Sequence, residues 1–191
     1  MKKINVLMIA MAILVLSACK ALEDAATIKI DVPDFTIEIP TSVTLPTNAS
    51  GITRADSEQI QFSGSYTLSI NDSQFNDLRK YKNLITDIKI EDVTIAIQQD
   101  GLSGTAQNII LKATNVAPDF NIPTYTFGQT YRNNPALPNF IKSTIFELKN
   151  DSVTITFSGE TSVDFDAIGN VAPVITIEVK GIQVWAKTIE F

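Results

Sequence analysis

From Ile60 to Ile70 the even positions read Ile60, Phe62, Gly64, Tyr66, Leu68 and Ile70, while the odd positions read Gln61, Ser63, Ser65, Thr67 and Ser69. Side chains on a strand alternate between its two faces, so this pattern predicts a strand with one buried and one solvated face. Val153, Ile155, Phe157, Gly159, Thr161, Val163 and Phe165 repeat it, with Thr154, Thr156 and Ser158 opposite. Both segments carry Phe-Ser-Gly, at 62–64 and 157–159. A glycine inside a strand weakens it and predicts a bulge or bend. The shared tripeptide reflects chance or a shared structural need, because little else around the two copies aligns.

Elsewhere the alternation slips by one residue. Ile88 and Ile90 give way to Val93, Ile95 and Ile97 across Glu91-Asp92. Ile28, Ile30 and Val32 give way to Phe35, Ile37 and Ile39 across Pro33-Asp34, and Ile175, Ile177 and Val179 to Ile182 and Val184 across Gly181. A slip within one strand would turn every later side chain to the other face, so a bulge is expected at each. Further strands read at 42–46 and 106–113. One short helix is expected near 72–84, capped by Asn71 or Asp72, with Phe75, Leu78 and Tyr81 on one face. Ile141, Ile145 and Leu148 fit a helix over 140–148, but Lys149-Asn150-Asp151-Ser152 reads as a turn, and a hairpin is preferred there. Many strands without strand–helix alternation predict an all-β fold, mainly an antiparallel β-sandwich or barrel.

Composition then narrows the chemistry. The chain has no histidine and one cysteine. Histidine-based triads, general bases and metal sites are therefore excluded, and so is an intrachain disulfide. No cofactor and no metal are expected. Carboxylates, Lys, Tyr, Ser and Thr remain as catalytic equipment.

The single cysteine stands at the end of an apolar run. Lys2 and Lys3 precede an uncharged stretch from Val6 to Ala18, which has the length of a signal-peptide core and is short of the roughly 20 residues of a membrane span. Leu16-Ser17-Ala18-Cys19 resembles the lipobox of bacterial lipoproteins. The resemblance implies cleavage before Cys19, diacylation of its sulfur and acylation of the new amino terminus. Two or more chains hold a protein on a membrane where one gives only marginal binding. The organisation implied is a cleaved leader at 1–18, a lipidated tether at 19–26 and a single antiparallel β domain at 27–191. Lys20-Ala21-Leu22-Glu23-Asp24 is similar to a diluted form of the signal that sends some lipoproteins to the outer face of the outer membrane. The expected location is therefore the outer membrane, with the cell surface favoured over the periplasmic face. Loss of Lys2 and Lys3 with the leader leaves 13 basic and 21 acidic side chains, a net −8. That charge argues against nucleic acid, whose phosphates are met by Lys and Arg.

The alternation stops from Asn115 to Asn139, where Pro118, Pro123, Pro135 and Pro138 lie. The segment also holds Phe120, Tyr125, Phe127 and Tyr131, four of the fifteen aromatic residues, followed by Arg132-Asn133-Asn134. A long proline-rich loop predicts either a binding surface or a plug. As a surface, Tyr125, Phe127 and Tyr131 would stack on sugar rings or apolar groups, and Arg132, Asn133 and Asn134 would supply hydrogen bonds. As a plug, the same aromatics would close one end of the fold. Asp164, Asp166, Gly169 and Asn170 have the spacing of an incomplete calcium loop and read as a turn. Asp151-Ser152-Val153 resembles a bacterial O-glycosylation acceptor. Trp185 is expected in the core. The functional expectation is a non-catalytic envelope lipoprotein, anchored in the membrane through Cys19, that binds a glycan, an apolar ligand or an envelope protein. The alternatives are an assembly component of an outer-membrane complex and a carboxylate-based hydrolase.

Overall fold

The computed structural model describes residues 27–44, 59–98, 101, 103–133, 135–162 and 172–188. The chain is all-β, as the alternation predicts, and its strands form two antiparallel sheets. The strands are β1 (Thr27–Val32), β2 (Phe35–Thr44), β3 (Ile60–Ser69), β4 (Ile85–Lys89), β5 (Asp92–Gln98), β6 (Thr105–Ala113), β7 (Phe120–Thr126), β8 (Thr130–Tyr131), β9 (Ser152–Thr161), β10 (Val174–Lys180) and β11 (Ile182–Lys187). A small sheet has the order β1-β11-β4, and a large, nearly closed barrel-like sheet has the order β7-β6-β9-β3-β2-β10-β5-β8. One contiguous core runs through both, including Ile37, Ile39, Phe62, Ile95, Ile97, Leu111, Ile155, Phe157, Ile177 and Val184.

The three phase slips are not bulges. At each one a strand ends and the chain passes from one sheet to the other: β1 to β2, β4 to β5, β10 to β11. The small sheet's order, β1-β11-β4, is matched by β2-β10-β5 in the large one. A three-strand ribbon thus turns one corner, and apolar residues face the interior on both sides of it. The corner is tied across strands. The Gly181 N–H donates to Asp34 Oδ1 at 2.8 Å, and the Glu91 N–H donates to the Lys180 carbonyl at 3.2 Å. Gly181 has φ +64°, and a Cβ there would come within 2.5 Å of the Glu91 side chain. Glycine is the residue that fits both constraints. A true irregularity lies elsewhere, in β6, where the register against β9 shifts between Gln107 and Ile110 and Asn108 has φ 52°.

The two Phe-Ser-Gly tripeptides pair with each other. β3 runs against β9 in unbroken register, with Phe62 opposite Gly159 and Gly64 opposite Phe157. The expected bulge is absent from this pair because each glycine makes room instead. A Cβ on Gly159 would lie 2.8 Å from Phe62 Cζ. A Cβ on Gly64 would lie 2.3 Å from the Pro40 carbonyl oxygen, where β2 crosses close to β3. The strand expected at 42–46 is the end of β2; residues beyond Thr44 lie outside the described set. Val163 and Phe165, expected to extend β9, also lie outside the described residues.

The short helix near 72–84 consists of a 3₁₀ turn, Ser73–Phe75, and one α-helical turn, α1 (Asn76–Arg79). Its buried residues are Phe75 and Leu78, as the spacing predicts. Asp72 stands at the N-cap in extended backbone, as expected, but its side chain makes no cap bond and accepts the Ser69 N–H at 2.9 Å instead. The hairpin preferred over 140–148 is contradicted. Ala136–Glu147 is a 12-residue helix, α2, followed by a 3₁₀ turn at Leu148–Asn150 that leads into β9. Leu137, Phe140, Ile141, Thr144, Ile145 and Leu148 are buried, a helical stripe. Pro135 and Pro138 stand at its start, where the backbone N–H has no partner within the helix to lose.

Candidate functional site

The 115–139 segment is mostly regular structure, which corrects its reading as a loop. It contains β7, β8 and the start of α2. β7 and β8 are the outermost strands of the large sheet, and residues 127–129 alone separate them in the chain. Gly128, at φ +77°, turns the chain there. The segment therefore joins the two borders of the sheet.

Tyr125 is 3% exposed, so its ring is no platform for a ligand. Its hydroxyl accepts the Ile97 N–H of β5 at 2.9 Å and donates to the Gln129 carbonyl. A side chain from one border strand thus satisfies the backbone of the strand facing it across the seam. Burial raises the Tyr125 phenol above its ordinary pKa, and the bond from Ile97 opposes that rise. Phe127 is also buried and meets Tyr125 edge-on, with ring centroids 6.1 Å apart. Tyr131 is half-buried and meets Phe120 edge-on, and Phe120 also touches Phe140 of α2. The Asn133 amide donates to the Tyr131 hydroxyl at 3.2 Å. Arg132 pairs with Asp92 of β5 at 3.3 Å, both side chains being largely exposed. Asn134 lies outside the described residues.

The structure brings Tyr125, Phe127 and Tyr131 together as the seal of the barrel. Arg132 adds an ion pair across the same seam. Recesses among the described residues include one near the seam and one on the sheet. One, of about 130 Å³, is lined by Thr124, Tyr125, Thr126, Gln129, Thr130 and Tyr131. The other, of about 210 Å³, lies on the sheet between Gln61, Ser63, Asn108, Ser158 and Glu160. Both fall below the roughly 300–1,000 Å³ that encloses a small-molecule ligand.

Asp164, Asp166 and Asn170 lie outside the described residues, as do the lipobox and Cys19. Among the described residues no three carboxylate, histidine or cysteine groups stand close enough to hold a metal. Also among them, no helix is long and apolar enough to cross a membrane. Ser152 is exposed, and its strand is paired to Ser69.

Trp185 is the residue that sequence reading misplaces. In β11, Ile182, Val184 and Ala186 are buried, so the core lies on their side. Trp185 falls on the opposite face with Gln183 and Lys187 and is partly exposed. The alternation that marks Ile182 and Val184 as core contains this signal; aromatic character outweighed it. Its register partners are Lys29 of β1 and Asp87 of β4. Asp87 receives Lys142 Nζ of α2 at 2.6 Å, which holds its carboxyl below the usual carboxylate pKa.

No family model matches the chain, and no curated protein is similar to it. Among solved structures, a chain titled Desmodium yellow mottle tymovirus is similar at 9% identity and TM-score 0.24, over 86% of this chain and 84% of that one. A chain titled tobacco necrosis virus is similar at 12% identity and TM-score 0.23, over 84% of this chain and 94% of that one.

Proposed function

We propose that this chain is a lipid-anchored protein of the bacterial outer membrane whose β domain binds a partner or ligand and carries out no catalysis. The lipobox-like Leu16-Ser17-Ala18-Cys19 supports the anchor. The observation behind the binding half is the burial of Tyr125 and Phe127 at the seam, which turns the aromatic segment inward and leaves contact with a ligand to the outer faces of the sheets. Cys19 and the first residue of β1, Thr27, are eight positions apart, a length that reaches at most about 28 Å when fully extended. The anchor therefore keeps the domain close to the membrane.

The test is fractionation of cells grown with labelled palmitate. Wild-type protein takes up label and sediments with membranes, whereas Cys19→Ser takes up none and becomes soluble. Equal membrane retention of Cys19→Ser overturns the anchor. Protease added to unbroken cells then decides the face: digestion places the domain on the cell surface, and protection until the outer membrane is opened places it in the periplasm.

A further inference from the structure

We propose that the outer face of the three-stranded sheet β1-β11-β4 is a saccharide-binding site in which the Trp185 indole stacks on a sugar ring, flanked by Lys29 and Asp87. The inference deepens the binding half of the proposed function and does not depend on the lipid anchor.

Three observations converge on it. Trp185 is the chain's one tryptophan, and it is spent on an outward position in the central strand of this sheet. The interior positions beside it, Val184 and Ala186, are fully buried, so the core does not need the indole. Its surroundings are polar across both neighbouring strands and toward Gln183, and directly after it the register against β4 shifts between Trp185 and Ala186. Lys29 and Asp87 are its cross-strand partners, and the next row holds Asp31, Gln183 and Lys89. Strands lie about 4.8 Å apart, so Lys29 and Asp87 are rooted about 10 Å apart across the indole. That spacing places one polar group on either side of a single hexopyranose ring.

The chemistry selects the occupant. A pyranose presents a C–H face that packs on an aromatic ring and a rim of hydroxyls that both donate and accept. Lysine supplies only donors, an ionised carboxylate only acceptors and glutamine both, so Lys29, Asp87 and Gln183 together match the rim. The charges are fixed in place: Lys29 Nζ lies 3.0 Å from Asp31 Oδ1, and Lys142 Nζ lies 2.6 Å from Asp87 Oδ1. Each carboxylate keeps further acceptor positions after one such bond. A protein partner fits less well. The centre of a protein interface is depleted of charge and enriched in several large apolar residues. Here one aromatic stands within a ring of charged and amide groups.

The test uses the full chain, purified in a detergent without a sugar headgroup, and reads the emission of Trp185. Cellohexaose, mannohexaose, maltohexaose and chitohexaose are titrated separately. At least one should produce a saturable change in emission, and acrylamide quenching of the free protein should be reduced when that saccharide is bound. By calorimetry, Trp185→Ala should weaken binding by about tenfold or more, and Asp87→Asn and Lys29→Met severalfold, with thermal midpoints close to wild type. Trp185→Phe keeps an aromatic surface and should retain part of the affinity. The proposal is overturned if none of the four saccharides saturates, if Trp185→Ala binds as well as wild type, or if acrylamide does not reach the indole. It is also overturned if the emission changes with protein concentration alone, which would make this face a contact between copies of the chain. Loss of saccharide binding with palmitate labelling intact removes the site and leaves the anchor standing.

Discussion

Gly64 and Gly159 stand in adjacent strands and share a tripeptide, yet substitution should affect them differently. A methyl group on Gly159 meets the end of the Phe62 ring, a side chain that can tilt. A methyl group on Gly64 meets the Pro40 carbonyl, part of a backbone held in two ladders. Gly159→Ala should therefore cost about 1–3 kcal/mol and Gly64→Ala more, measured by urea unfolding. Phe62→Leu in the Gly159→Ala background should recover part of the loss, because the smaller side chain vacates the contact. Tyr125 makes a prediction of its own. Tyr125→Phe leaves the buried Ile97 N–H without its acceptor and should cost about 1–3 kcal/mol. Burial raises the folded-state pKa of this phenol, so the unfolded chain loses its proton first as pH rises. The contribution of Tyr125 is whole below about pH 10 and shrinks as pH climbs from there through the raised folded value. The stability difference between wild type and Tyr125→Phe should thus narrow from pH 9 to pH 11 in paired urea titrations.

At the scale of elements, α2 is the piece whose removal spreads furthest. It lies against β4, β5, β7 and β9 and so bridges the two sheets and the seam. Ile145 is fully buried on it, and Ile145→Ala should cost about 2–5 kcal/mol, with a lowered urea midpoint as the readout. This helix was also the least legible element. Ile141, Ile145 and Leu148 carry its period, but Pro135 and Pro138 resemble loop markers. Only their position in the first helical turn, where a missing N–H costs nothing, reconciles the two signals. The strands were legible because each buries one face, which forces alternation on the residues. The corner was legible as a change of phase at Pro33-Asp34, at Glu91-Asp92 and at Gly181, but its meaning was not. Phase says that the chain turns over relative to itself, and whether that happens by a bulge or by a change of sheet depends on partners far away in sequence. The aromatic segment was legible as unusual. Its role as a seal depends on Tyr125 reaching Ile97, a contact between strands that share no ladder, and no local pattern encodes it. Trp185 shows the converse: the local pattern placed it correctly, and residue type misled.

The molecule as a whole shares its strands between layers. β1 and β2, β4 and β5, and β10 and β11 are each one pass of chain that serves both sheets, tied where Gly181 meets Asp34 and Glu91. Neither sheet should unfold alone. Trp185 emission reports the small sheet and far-ultraviolet circular dichroism chiefly the large one, so their urea transitions should coincide, as two-state unfolding requires. Separate midpoints would show that the corner acts as a hinge between independent units. The direct link from β7 to β8 has a further consequence. A sheet ordinarily ends in two rows of unpaired amides, and such rows recruit strands from other molecules. Here the chain that leaves one border returns at the other after three residues, Pro123 removes a donor from β7, and Tyr125 occupies the Ile97 amide. On the proposed membrane anchor, copies of this domain would meet one another at high density. Bridging the borders of the large sheet leaves, among the described strands, the short β1 and β4 of the small sheet as the edges through which such copies could pair.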